Sequence, residues 1–122
     1  MTRVAETRKG KALVVEDEAL IRMSVCDMLA EMGLETIDTG NGHEGLTLLA
    51  EDPSIGILIA DLGLPDLSGE ELVRRARGLR PELKIIISTG HSAARAQPVF
   101  AGVTFLAKPF DVSGLRRAVE GV

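Results

Sequence analysis

Short apolar runs alternate with amphipathic stretches from one end of this chain to the other, and that alternation restricts the fold more than any other feature. Ala12-Leu13-Val14-Val15 is a continuous apolar run, the mark of a strand buried on both faces. It is followed by a predicted helix from Ala19 to Met32, with Ile21, Val25, Met28, Leu29 and Met32 at three- and four-residue spacing and Gly33 as its stop. A second strand is predicted over Leu34 to Thr39, and a helix from Asn41-Gly42 to Glu51 ended by Asp52-Pro53. A third strand over Ile55 to Ala60 runs into Asp61. A helix from Glu70 to Gly78 follows, capped by Ser68 and with Glu70 and Glu71 at its positive end. Leu83 to Ser88 and Val103 to Ala107 supply two more strands, and a last helix runs from Val112 to Glu120 under an Asp111 cap. Repetition of strand and helix requires right-handed crossovers and a parallel sheet covered on both sides. One link is anomalous: Pro98 interrupts the stretch from His91 to Gly102, so a fourth helix starting at Ser92 should be stunted.

The chain of 122 residues fits one domain, read as residues 11–122 after a flexible polar lead-in over residues 1–10. Cys26 is the one cysteine, so no internal disulfide forms; it reads as a small hydrophobe, and a reducing cytoplasm is the natural compartment. No apolar stretch is long enough to span a bilayer, so no membrane insertion is expected. With three Phe, no Tyr or Trp and no basic run, direct nucleic-acid binding has little support. Charge is unevenly placed. Residues 1–66 carry 13 acids and 5 bases, and residues 67–122 carry 5 acids and 9 bases. The acidic half suits a cation site. Arg74, Arg75, Arg77 and Arg80 in the basic half read as a solvated helix face.

Ligand sites in parallel sheets lie at the carboxyl ends of the strands. Here the first strand ends in Glu16-Asp17-Glu18, the third in Asp61, the fourth in Ser88-Thr89-Gly90 and the fifth in Lys108-Pro109. Carboxylates gathered on one rim repel one another and call for a hard cation, for which Mg²⁺ is the best match. A carboxylate can attack phosphorus to form an aspartyl phosphate, and the phosphoryl oxygens then need cations and donors such as Lys108, the Thr89 hydroxyl and the Gly90 N–H. A side chain at Gly90 would crowd them. Glu18 reads as a cap for the first helix, and His43 as solvated.

The segments Val14-Val15-Glu16-Asp17-Glu18, Asp61-Leu62-Gly63-Leu64-Pro65-Asp66-Leu67-Ser68-Gly69, Ile87-Ser88-Thr89-Gly90 and Lys108-Pro109-Phe110 resemble, in order, the motifs of the receiver domain of two-component response regulators. The resemblance covers about residues 11–121. It implies a flavodoxin-like doubly wound α/β fold with five parallel strands ordered 2-1-3-4-5. It also implies phosphorylation of Asp61 by a sensor histidine kinase or a histidine phosphotransfer protein in a phosphorelay. Glu16, Asp17, Asp61 and the Gly63 carbonyl would hold Mg²⁺, Thr89 and Phe105 would act as the switch pair, and Lys108 would pair with the phosphate ahead of a cis bond to Pro109. Gly63 and His91, two residues beyond Asp61 and Thr89, would tune phosphate lifetime. A downstream protein would dock on the face from the fourth strand to the fifth helix. Such a domain is a signalling device, not an enzyme with a separate substrate.

Thr89-Gly90 and the short fourth helix are similar to an alphaproteobacterial single-domain subgroup with a Phe-Ala-Thr-Gly motif, although Ile87 and Ser88 stand in place of Phe and Ala. A stand-alone receiver is therefore expected, with a fragment of a longer response regulator carrying a C-terminal output domain as the alternative. A haloacid-dehalogenase-like phosphatase uses the same residue types, but it needs Asp-x-Asp after its first strand, where Asp17 is followed by Glu18-Ala19.

Overall fold

The computed structural model describes residues 10–90 and 97–120. Five strands, β1 (Lys11–Val15), β2 (Glu35–Thr39), β3 (Ile55–Asp61), β4 (Lys84–Thr89) and β5 (Thr104–Ala107), form one parallel sheet in the order β2-β1-β3-β4-β5. The predicted order is the observed one. Among the described residues, four α-helices connect or follow the strands: α1 (Ala19–Glu31), α2 (Gly42–Glu51), α3 (Gly69–Leu79) and α4 (Val112–Glu120). The stunted helix expected from Ser92 falls mainly on residues 91–96, outside the described residues. Beyond them lies a single 3₁₀ turn, Pro98–Phe100, with its proline at the first position, where the missing N–H costs no hydrogen bond.

Side chains alternate across the sheet into two cores. Leu13, Val15, Leu58, Ala60, Ile85 and Ile87 pack under α2 and α3, against Leu49, Leu72, Val73 and Ala76. Ala12, Val14, Ile57, Ile59 and Ile86 face the other way, against Val25 and Leu29 of α1 and Leu115 and Ala118 of α4. Burying each such aliphatic side chain stabilises the fold by about 1.5–3 kcal/mol. The apolar runs are thus explained: β1, β3 and β4 have no solvent face.

The helix caps follow the sequence in all but one case. Asn41 Oδ1 accepts from the Glu44 N–H, Ser68 Oγ from the Glu71 N–H, and Asp111 Oδ1 from the Gly114 N–H. Glu18 holds the N-cap position of α1 but its side chain makes no capping bond. Its own N–H donates to Glu16 Oε2, and glutamate is not among the side chains favoured at an N-cap. Arg80 is also not solvated. Lying at the end of α3, it donates to the carbonyls of Ile55 (2.7 Å), Pro53 (3.3 Å) and Asp52 (3.5 Å), and so clips the start of β3. Arg74 and Arg75 are exposed and pair with Glu71.

Candidate functional site

The carboxyl ends of β1, β3, β4 and β5 meet on one rim. Glu16 follows β1 directly and is anchored at three atoms. Its N–H donates to the Thr39 carbonyl (3.1 Å), its carbonyl accepts from Arg22 Nη1 (2.6 Å), and its Oε2 accepts from the Glu18 N–H (3.1 Å). Glu16 is buried and Asp17 exposed, while Asp61 lies between the two in exposure. One carboxylate oxygen from each of the three falls within 4.8 Å of the others.

Lys108 closes the site from β5. Its Nζ lies 2.6 Å from Asp61 Oδ1 and 3.9 Å from Glu16 Oε1, and the peptide bond it makes with Pro109 is cis. The other Asp61 oxygen, Oδ2, accepts from the Gly63 N–H at 2.9 Å. On β4, Ser88 is in register with Asp61, which sets the buried Thr89 one residue beyond it. The Thr89 carbonyl accepts from the Lys108 N–H at 3.1 Å, tying β4 and the lysine into one unit.

Electrostatics follow from this crowding. Burial raises the Glu16 carboxyl above its ordinary range, and the charges of Asp61 and Asp17 add to that, against the Glu18 N–H and the Lys108 charge. Burial works to lower the Lys108 ammonium, but the hydrogen bond and charge of Asp61, with Glu16 and Glu18 behind it, outweigh burial and raise it. One ammonium faces three carboxylates, so the site is short of positive charge. An all-oxygen donor set of this kind fits a hard divalent cation, and Mg²⁺ in particular, which keeps several waters and needs few protein ligands.

The structure therefore brings together Glu16, Asp17, Asp61, Gly63, Thr89 and Lys108. Phe105, half-buried on β5, stacks edge-to-face on Phe100, with ring centroids 5.5 Å apart and planes at 77°. His91 lies outside the described residues. Among the described residues, a Cβ built on Gly90 meets no atom within 4 Å.

Sequence reasoning missed three features. Arg22 reaches the Glu16 carbonyl from α1. Asp66, in the β3–α3 loop, accepts from the N–H groups of Gly42 and His43 and from His43 Nδ1 (2.7 Å), so His43 is paired as well as exposed. A groove of about 520 Å³ runs between α1 and the residues after β5, lined by Leu20, Ile21, Met28, Lys108, Pro109 and Phe110 among others. Leu20 and Met23 are 81% and 60% exposed, and their position off the Val25–Leu29 stripe was the available signal.

The family model described as the response regulator receiver domain matches residues 12–120. The chain is 31% identical to the sensor kinase CckA of Brucella abortus over 88% of its own length, but it spans only 12% of that protein. It is 30% identical to the response regulator receiver protein CpdR of the same organism, over 90% of this chain and 93% of CpdR. Among solved structures, the response regulator TrrA of Thermotoga maritima, crystallised with Mg²⁺ and BeF, superposes with a TM-score of 0.84 at 28% identity, covering 92% of this chain and 97% of that one. Among the described residues, no helix is long and apolar enough to cross a membrane. With the rim residues in place on a sheet of the expected order, and with a match along nearly its whole length, this chain belongs to the response regulator receiver domain family, a signalling domain of two-component systems.

Proposed function

We propose that Asp61 accepts a phosphoryl group from a phosphohistidine on a sensor kinase or a histidine phosphotransfer protein, and that the modified domain then changes its affinity for a downstream protein. The observation that carries this reading is the Asp61 carboxylate held between the Lys108 ammonium and the Gly63 N–H, beside Glu16 and Asp17. In the transfer, an Asp61 oxygen bonds to phosphorus while the phosphorus–nitrogen bond to the donor imidazole breaks, and the leaving nitrogen takes a proton from solvent. Lys108 Nζ lets go of the attacking carboxylate and pairs with a phosphoryl oxygen, while the Thr89 hydroxyl and the Gly90 N–H serve as donors to another. Glu16, Asp17, Asp61 and the Gly63 carbonyl would hold Mg²⁺, which supplies charge neutralisation of the phosphoryl oxygens when bound. Movement of Thr89 toward the phosphate, followed by Phe105, would be the population shift a partner reads on the β4–β5–α4 face. Gly63 places no side chain beside Asp61, so water has a path to the phosphate and a short lifetime is expected. His91 is proposed to share in that control.

Labelling by acetyl phosphate tests the reading. Wild type should label only with Mg²⁺ present, and Asp61→Asn should not label. Failure of wild type with both acetyl phosphate and a kinase would leave a docking module that does not use its acceptor.

A further inference from the structure

Arg22 joins two elements at the edge of the acidic rim. From the first turn of α1 its Nη1 donates to the Glu16 carbonyl at 2.6 Å, and its Nε donates to Asp38 Oδ2, on β2, at 3.0 Å. The Arg22 side chain is 22% exposed, and Gly40 leaves room for the guanidinium: a Cβ there would stand 3.2 Å from Nη1. The carbonyl it holds belongs to the peptide that joins Glu16 to Asp17. Fixing that peptide fixes the relative placement of the two carboxylates, against a mutual repulsion that tends to spread them.

Charge alone predicts the opposite role. A guanidinium near three carboxylates repels a divalent cation and should weaken its binding. Asp38 neutralises Arg22, which reduces that penalty and leaves the geometric effect. We infer that Arg22 is a positioning residue for the cation site, acting through the Glu16–Asp17 peptide and supported by Asp38 and by the space at Gly40. The inference rests on the proposed Mg²⁺-dependent acceptor role of Asp61 and assigns one more residue to it.

The sign of a single effect tests it. Isothermal titration of Mg²⁺ into the full chain should give weaker binding for Arg22→Ala, by about 10- to 100-fold as for other residues that orient metal ligands. Gly40→Ala, which crowds the guanidinium without removing it, should weaken binding less but in the same direction. Because the effect lies in cation affinity, acetyl phosphate labelling of both variants should return to the wild-type rate at saturating Mg²⁺. Melting in EDTA reports any loss of fold separately, and if Arg22→Ala is unfolded there, Gly40→Ala carries the test. Unchanged or tighter Mg²⁺ binding in the folded variants overturns the positioning role and leaves the acceptor reading standing. No Mg²⁺ uptake by wild type overturns the acceptor reading, and the inference with it.

Discussion

At the residue scale the site is a contest between one ammonium and three carboxylates. Lys108 touches Asp61 at 2.6 Å and lies 3.9 Å from Glu16, so it both neutralises the rim and competes with a cation for the same oxygens. Lys108→Ala should therefore bind Mg²⁺ more tightly than wild type in a calorimetric titration. The same variant should transfer phosphate about 10²-fold or more slowly in single-turnover labelling, because a preorganised charge on the phosphoryl oxygens is lost. A variant that lost both properties together would point to collapse of the rim instead. The residue scale is also where sequence reading reached furthest and stopped most abruptly. Asp61, Lys108, Glu16 and Thr89 were legible because each ends a strand. Arg22 and Asp66 were not, because Arg22 spans Glu16 and Asp38, 6 and 16 residues away, Asp66 binds Gly42, 24 residues away, and no local periodicity encodes such pairs.

Among the elements, the helices were legible to within a residue or two, since three- and four-residue apolar spacing records the face a helix buries. The β3–α3 loop shows what spacing cannot record. At Gly69 an added Cβ would lie 2.2 Å from Leu62 Cδ2 and 3.1 Å from its Cα, so the start of α3 is pressed onto the loop that follows Asp61. Gly69→Ala should destabilise the domain by about 1–3 kcal/mol, as overpacking does, and lower the denaturant midpoint accordingly. The exposed side of α1 makes a different prediction. Leu20 and Met23 spread an apolar surface beside a groove that Lys108 also lines, and apolar patches next to a reactive group mark contact surfaces. Leu20→Asp should slow phosphotransfer from a protein donor while leaving acetyl phosphate labelling unchanged. Equal loss with both donors would place the defect in the site, and equal retention would remove α1 from the contact.

For the whole molecule, carboxyls lowered by folding and those raised by it respond oppositely to acid. Far from the rim, the Lys11 ammonium and the Ser54 hydroxyl and N–H hold the Asp52 carboxyl down at about 2. The Gly42 and His43 N–H groups, with the His43 ring, hold Asp66 at about 2 as well. Unfolded, both should titrate near about 3.9. Their stabilisation is thus complete above roughly pH 4 and is lost as pH falls toward about 2. Asp52→Asn and Asp66→Asn should each flatten that part of the stability–pH curve measured by urea unfolding. Glu16 has the opposite sign: its carboxyl is raised on folding, so its protonation in mild acid relieves the rim. A parallel sheet covered on both sides was legible in the apolar runs, because a strand with no solvent face carries no alternation, whereas the strand order came from the family resemblance. The 3₁₀ turn at Pro98–Phe100 and the Arg80 clip were not, as each depends on how a chain end meets a neighbour already in place.

Residues 57 to 60 of β3 are packed from both sides, and the strand is flanked by β1 and β4, so Asp61 stands at the tip of a strand held on every side. Such a mount serves as a fixed datum. On the proposed acceptor role, a phosphoryl group added at Asp61 would meet little recoil from its mount, and the displacement would pass to the groups around it. Lys108, whose ammonium touches Asp61, is one of them, and the message of modification would be its travel relative to a point that does not move.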